Sequence, residues 1–209
     1  MSFFLDKNLF FEPGRIIFPA VRNAKQETMH MNEDFLKLME TRRTCRNFNS
    51  QTVPPEVLDR ILRAGTFAAT GKNRQSPVMI AVTDPEVLKQ LSRLNAEIMG
   101  KPGTDPFYGA GTVIIVLADR EIPTYLYDGT LVMGNLMLAA HACGVDSCWV
   151  HRAKEEFELP EGKAILERLG IAGNYEGIGH CALGYAAAPP SPASPRKENY
   201  IYRIAPSRS

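Results

Sequence analysis

No stretch of this 209-residue chain is apolar over the roughly 18 consecutive positions that a helix needs to cross a bilayer, so no membrane-spanning helix is expected. Neither sign of charge dominates: 24 Lys and Arg against 23 Asp and Glu leave a net charge of +1. So weak a field gives no reason to expect nucleic acid or a membrane surface as partner, and the basic residues must be judged where they cluster. Cysteine is scarce. Cys45, Cys143, Cys148 and Cys181 include no pair spaced by two residues and form no dense framework. That argues against a disulfide scaffold and reads as free, mostly buried thiols in a reducing cytoplasm.

Several enzyme signatures are missing too. Gly109-Ala110-Gly111 precedes an apolar run instead of following one, and no third glycine stands in register for a dinucleotide-binding turn. No Gly-x-Ser-x-Gly elbow and no His-Glu-x-x-His helix occurs. A zinc site drawn from His141, Cys143, Cys148, His151, His180 and Cys181 has loose spacing and would need two ligands from a buried helix, so no metal is expected. His141 and His180 sit in apolar elements and read as hydrogen-bonded structural residues.

What is present is an ordinary globular composition, 44% hydrophobic and 22% charged, in a chain long enough for one domain. Asn32 reads as the N-cap of a helix bearing Phe35, Leu36, Leu38 and Met39, so residues 32–209 read as the domain. Residues 1–31 read as an added leader, an upstream start or an extension packed on a partner subunit. Pro54-Pro55 opens a second helix, and Pro85 a third through Val87, Leu88, Leu91 and Ile98. Strands are expected at 78–83, 113–118, 148–150 and 178–185, the second buried on both faces. Residues 125–143 are apolar nearly all round, the mark of a helix buried on every side, partly against a second subunit. Residues 152–162 read as a charged loop, then a short helix at 164–169. Four prolines between 186 and 195 make a semi-rigid arm, from about 189 to 209, ending in a β-like tail that could clasp a partner sheet. The alternation of elements, taken alone, suggests α/β.

Two segments carry chemistry. Arg42-Arg43-Thr44-Cys45-Arg46 sets three guanidinium groups beside a hydroxyl just past a helix end. Arginine forks match phosphate oxygens, although a solvated basic helix end gives the same pattern. Gly71-Lys72-Asn73-Arg74-Gln75-Ser76-Pro77 packs amide, hydroxyl and basic groups between apolar runs, which suits the polar edge of a planar ring or, equally, a plain turn. Together they suggest a bound phosphorylated heterocycle.

These segments, with residues 128–150 and the basic pair Arg196-Lys197, resemble the FMN-dependent nitroreductase family in order and spacing. The resemblance runs from about Asn32 to the C-terminus. It implies an α+β fold with a mixed, mostly antiparallel sheet flanked by helices, and an intertwined homodimer with FMN at the interface. It implies that Arg42, Arg43 and Thr44 hold the phosphate and ribityl chain, and that Arg46 sits near the pyrimidine edge. Ala69, Thr70, Gly71, Asn73 and Gln75 would reach the flavin from the neighbouring subunit. Trp149, Val150 and His151 would lie against the ring, where a main-chain N–H points at flavin N5. Two departures stand out: Ala69 replaces a common proline, and residues 103–111 lack the amide and basic pair that relatives often place there. The implied activity is ping-pong transfer of hydride from NADH or NADPH to a nitroaromatic, quinone or similar small acceptor. Other flavin chemistry on the same fold (dehalogenation, enoyl reduction, flavin fragmentation) or a non-catalytic flavin-binding module is the alternative. No protein nucleophile is required, because the cofactor carries the reaction.

Overall fold

The computed structural model of the chain describes residues 24–49 and 51–204, so most of what the sequence suggests for residues 1–31 lies outside them. Contacts divide the chain between Lys37 and Leu38. Helix α1 runs Ala24–Thr41, and Asn32 is therefore interior to it instead of capping it. Residues 24–31 are mostly good helix formers, so the helix propagates past the first capping side chain.

The unit from Leu38 onward is organised on a four-stranded sheet: β1 (Pro77–Val82), β2 (Thr112–Asp119), β3 (Asp146–Val150) and β4 (Tyr175–Gly184), in the order β1-β2-β4-β3. Every strand pairing is antiparallel. One isolated parallel bridge, Thr44 to Ser147, adds the mixed element. The α+β expectation is borne out, and the α/β reading from alternation alone is corrected. Alternation records which elements follow one another, not which way a strand returns. After α3 (Pro85–Ile98) a glycine-rich loop turns the chain back beside β1, whereas α4 (Tyr125–Ala142) makes a crossover past β4 to β3.

β2 is buried on both faces because its neighbours and the helices leave it no solvent side. Val113, Ile115 and Leu117 join the layer containing Leu91, Phe107 and Phe157; Ile114, Val116 and Ala118 join the layer containing Ile61, Met133 and Leu136. That is the two-residue period of a pleated strand, each buried branched side chain contributing about 1.5–3 kcal/mol. Helices α2 (Pro55–Thr66) and α4 cover the second layer. The first is covered by α3 and by α5 (Ala153–Glu158), which stands where the sequence suggested a loop. Ala153 and Phe157, one helical turn apart, are the whole apolar signal of α5, too little to show as periodicity. Helix α6 (Pro160–Arg168) follows directly.

β4 approaches α5 closely at Gly177, where a Cβ would stand 2.2 Å from the Ala153 carbonyl oxygen. Backbone has no rotamer with which to yield. Gly177→Ala should therefore destabilise the protein by about 1–3 kcal/mol, read as a lower urea midpoint at unchanged slope.

α4 is not covered all round within one chain: Leu126, Tyr127 and Leu131 are 47%, 74% and 49% exposed. The C-terminal Tyr200, Ile201, Tyr202 and Ile204 are also exposed. Ile201 is extended (φ −127°, ψ 126°), but residues 201–204 form no ladder with the strands of this chain.

Candidate functional site

Past α1 the chain runs along the outer edge of β3. Cys45 N–H donates to the Ser147 carbonyl (3.0 Å), Phe48 N–H to Tyr108 (3.1 Å) and Asn49 N–H to Tyr185 (2.8 Å). With this backbone fixed, Cys45 and Phe48 enter the core while Thr44 and Arg46 remain exposed. Arg43 Nη1 donates to the carbonyls of Glu40 and Arg42, both at 2.7 Å, closing the helix end. Arg42 differs. It is half-buried, and its Nη1 is a buried donor with no hydrogen-bond partner among the described residues.

The loop before β1 is held by Asp128 in the first turn of α4, only 2% exposed. Its carboxylate accepts from Gly71 N–H (2.9 Å), Ser76 Oγ (2.8 Å) and Thr124 Oγ1 (3.1 Å). Lys72, Asn73 and Gln75 adopt left-handed φ of 51°, 53° and 50°. Non-glycine residues pay for that conformation, and here the anchored ends impose it. Gln75 N–H donates to Thr70 Oγ1 (3.1 Å) and Gln75 Nε2 to Asn73 Oδ1 (3.3 Å), leaving Ala69, Asn73 and Gln75 exposed. Sequence reasoning did not single out Asp128 as this anchor; a lone acid opening an apolar helix was the available signal.

At the end of β3, Trp149 is half-buried, Val150 buried and His151 exposed. Arg152 follows in a left-handed conformation, φ 77°. Behind it lie Asn95, Glu156 and His180, all fully buried. Asn95 Nδ2 donates to the His151 carbonyl (2.9 Å) and to Glu156, and Asn95 Oδ1 accepts from Arg152 Nε (2.9 Å). Glu156 Oε2 in turn pairs with His180 Nε2 at 2.9 Å. His180 thus has the hydrogen-bonded structural place expected of it, and His141 Nε2 meets Thr41 Oγ1 at 3.0 Å. Asn95 and Glu156 were not foreseen. The signal for Asn95 was a polar residue four positions past Leu91 on the buried stripe of α3.

The structure brings residues 42–46 and 149–151 together along β3, but not residues 69–75. Thr44 lies beside Ser147, which pairs with Leu183; Pro77 pairs with Ala118, which pairs with Glu176. Residues 42–46, outside β3, therefore lie toward the corner of the sheet diagonally opposite residues 69–75, four strand spacings (about 19 Å) away across it. Trp149 and Val150, on β3, stand three spacings (about 14 Å) away beside the middle of β4. Arg196 and Lys197 are exposed on the arm; Arg196 Nη2 donates to the Ser194 carbonyl (2.7 Å), and Lys197 Nζ lies 5.0 Å from the Tyr200 ring centre. Two cavities, of about 470 and 130 Å³, are lined by residues such as Leu88, Arg93 and Phe107, and Gly65, Gln75 and Val132. Neither is lined by Arg42, Thr44 or Arg46.

The four cysteines are free. Burial raises the Cys45 and Cys148 thiols, with Arg46 and Arg42 partly opposing it at Cys148, and pushes Cys181 up to about 12. Only the thiolate reacts, so iodoacetamide at pH 8 should spare Cys148 and Cys181 in the native protein and label both in urea. The Cys181 proton is kept on folding but lost from the unfolded chain, so its contribution to stability should fall as pH rises from about 9 toward 12.

Comparison with known proteins matches this architecture. The chain belongs to the Nitroreductase family, whose model matches residues 39–185. A protein of Archaeoglobus fulgidus named for NADH dehydrogenase/NAD(P)H nitroreductase activity is 30% identical over 158 residues, 73% of this chain and 86% of that one. A nitroreductase with bound FMN from Bacteroides fragilis superposes with a TM-score of 0.75 at 25% identity, covering 82% of this chain and 99% of that chain. Iodotyrosine deiodinase 1 of Rattus norvegicus is 28% identical over 82 residues, 39% of this chain and 29% of that protein.

Proposed function

We propose that this chain is an FMN-dependent oxidoreductase, active as a homodimer, that takes hydride from NADH or NADPH and passes electrons to a nitroaromatic, quinone or similar electron-poor small molecule. The Arg42 guanidinium carries the reading: half-buried, unpartnered at Nη1, and two residues from the exposed Thr44 hydroxyl. A buried donor without an acceptor costs about 1–3 kcal/mol, and more when charged, so a phosphate that accepts from it fits this place. In this reading Arg42 and Thr44 hold the phosphate and ribityl chain, with Arg43 adding charge. Arg46 places a fixed cation near the pyrimidine edge. Trp149, Val150 and His151 line the ring. FMN, when bound, supplies the hydride chemistry, and the chain binds, orients and sets the local charge.

The second copy answers the diagonal separation described above. Ala69, Thr70, Gly71, Asn73 and Gln75 of one copy complete the site formed by residues 42–46 and 149–151 of the other. The exposed Leu126, Tyr127 and Leu131 of α4 form an apolar stripe suited to burial between the copies. The arm from about residue 189 carries Arg196 and Lys197 toward the partner. Residues 32–209 are the working domain, with 1–31 an extension. Free, mostly buried thiols suit a reducing cytoplasm.

The match to iodotyrosine deiodinase 1 favours a second reading, reductive dehalogenation at the same flavin. A visible spectrum of the purified protein, before and after anaerobic addition of NADH or NADPH, tests the first. A flavin band that bleaches supports it. A colourless protein that takes up no added FMN overturns it. Oxidation of the reduced protein by halophenols, but not by nitroaromatics or quinones, would select the second reading.

A further inference from the structure

We propose that Asn95 is a positioning residue for the redox centre, setting the direction of the Arg152 main-chain N–H; this role rests on the flavin reading above. The Asn95 amide is used completely. Its two donors go to the His151 carbonyl and the Glu156 carboxylate, and its oxygen accepts from the Arg152 guanidinium. Turning the amide over would set donor against donor and acceptor against acceptor at all three contacts, so one orientation is fixed.

That orientation controls a peptide plane. Asn95 draws the His151 carbonyl inward, to 2.9 Å from a fully buried amide nitrogen. In a trans peptide the N–H of the next residue points the opposite way, so the Arg152 N–H is directed outward, on the side of the exposed His151. Arg152 also holds φ 77°, a conformation unfavourable for a non-glycine residue that persists only where the surroundings impose it. The imposing groups come from three elements: Asn95 on α3, Glu156 on α5 and His180 on β4. His180 is opposite Val150 in the β3–β4 ladder, bonded to Glu156 and tilted against the Phe107 ring at 5.2 Å. The clamp is thus seated in the sheet at the strand end it controls. A donor fixed there and directed at the ring edge would stabilise the charge that builds up on reduction, without reorganising as it does so.

The test uses the FMN-loaded protein with Asn95→Asp, which keeps the acceptor for Arg152 and deletes the donor to the His151 carbonyl, the new carboxyl and Glu156 keeping at most one shared proton between them. Circular dichroism reports folding. Three readouts follow: flavin affinity, the midpoint potential of bound FMN, and the rate of flavin reduction by NADH or NADPH in stopped flow. Reduction should slow about 10- to 100-fold. The potential should fall, and affinity should hold because the phosphate end is untouched. In the flavin-free variant, amide exchange at residues 151–153 should quicken. A folded variant with the wild-type potential and reduction rate would falsify the role of Asn95 alone, whereas a wild-type protein that takes up no FMN sinks the flavin reading and this role together. If Asn95→Asp does not fold, Arg152→Ala and Arg152→Gly replace it. Both lose the guanidinium, but only alanine strains at the left-handed φ, so the glycine variant should be reduced faster. Equal rates in those two overturn the proposal.

Discussion

Arg42→Ala should weaken FMN binding about 10- to 100-fold while leaving the flavin-free protein at least as stable as wild type. The first half follows from a charge-assisted contact worth about 1.5–3 kcal/mol, with each 1.4 kcal/mol a factor of ten in affinity. The second half follows from the structure of the single chain, in which Arg42 Nη1 is buried and has no hydrogen-bond partner among the described residues. Removing a donor that bonds to nothing costs the fold nothing at that atom and relieves its desolvation. Arg42→Lys should restore only part of the affinity, because an ammonium replaces a planar fork by a point charge. Flavin fluorescence titration measures the affinity, and urea denaturation without flavin measures the stability. Unchanged affinity with lowered stability would turn Arg42 into a structural residue and remove it from the phosphate.

That split between binding and folding also marks what the sequence makes legible. The α3, β2 and α4 segments each announce themselves through a strong local signal: a proline at a helix start, an unbroken branched run at 113–117, an apolar stretch at 125–142. The arginine segment is plain as a cluster, three guanidinium groups in five residues, but a phosphate site and a basic helix end read alike in sequence. Strand direction is not local and could not be read. Only the resemblance pointed to an antiparallel sheet, since helix-linked strands run either way. The Asn95–Glu156–His180 group was hidden for the same reason. Its members stand 61 and 24 residues apart in sequence, and each alone is an unremarkable polar residue. Residues 42–46 and 69–75 read as one site in the sequence, yet the sheet puts them at opposite corners. Only the strand order shows how far apart one chain holds them.

Asp128→Ala should show the opposite signature to Arg42→Ala, losing stability first and flavin second. Its buried carboxylate takes three donors, the Gly71 amide and the Ser76 and Thr124 hydroxyls, and no lysine or arginine among the described residues pairs with it. Alanine leaves an amide and two hydroxyls facing a space without an acceptor. The expected loss is about 2–4 kcal/mol, net of the relief from no longer burying a charge. Asp128→Asn should be much milder, because its Oδ1 still accepts from Gly71 N–H while Nδ2 donates to the Ser76 and Thr124 hydroxyls, which rotate to accept. The functional effect then travels by conformation. Lys72, Asn73 and Gln75 keep left-handed φ only because both ends of their loop are held. Once Gly71 and Ser76 are released, those residues relax toward ordinary φ, and Asn73 and Gln75 leave the positions proposed for them beside the partner's flavin. Urea midpoints of the flavin-free protein and flavin titration of the same sample read the two effects. Full stability in Asp128→Ala would mean that the loop holds itself, and that its strained residues need another cause.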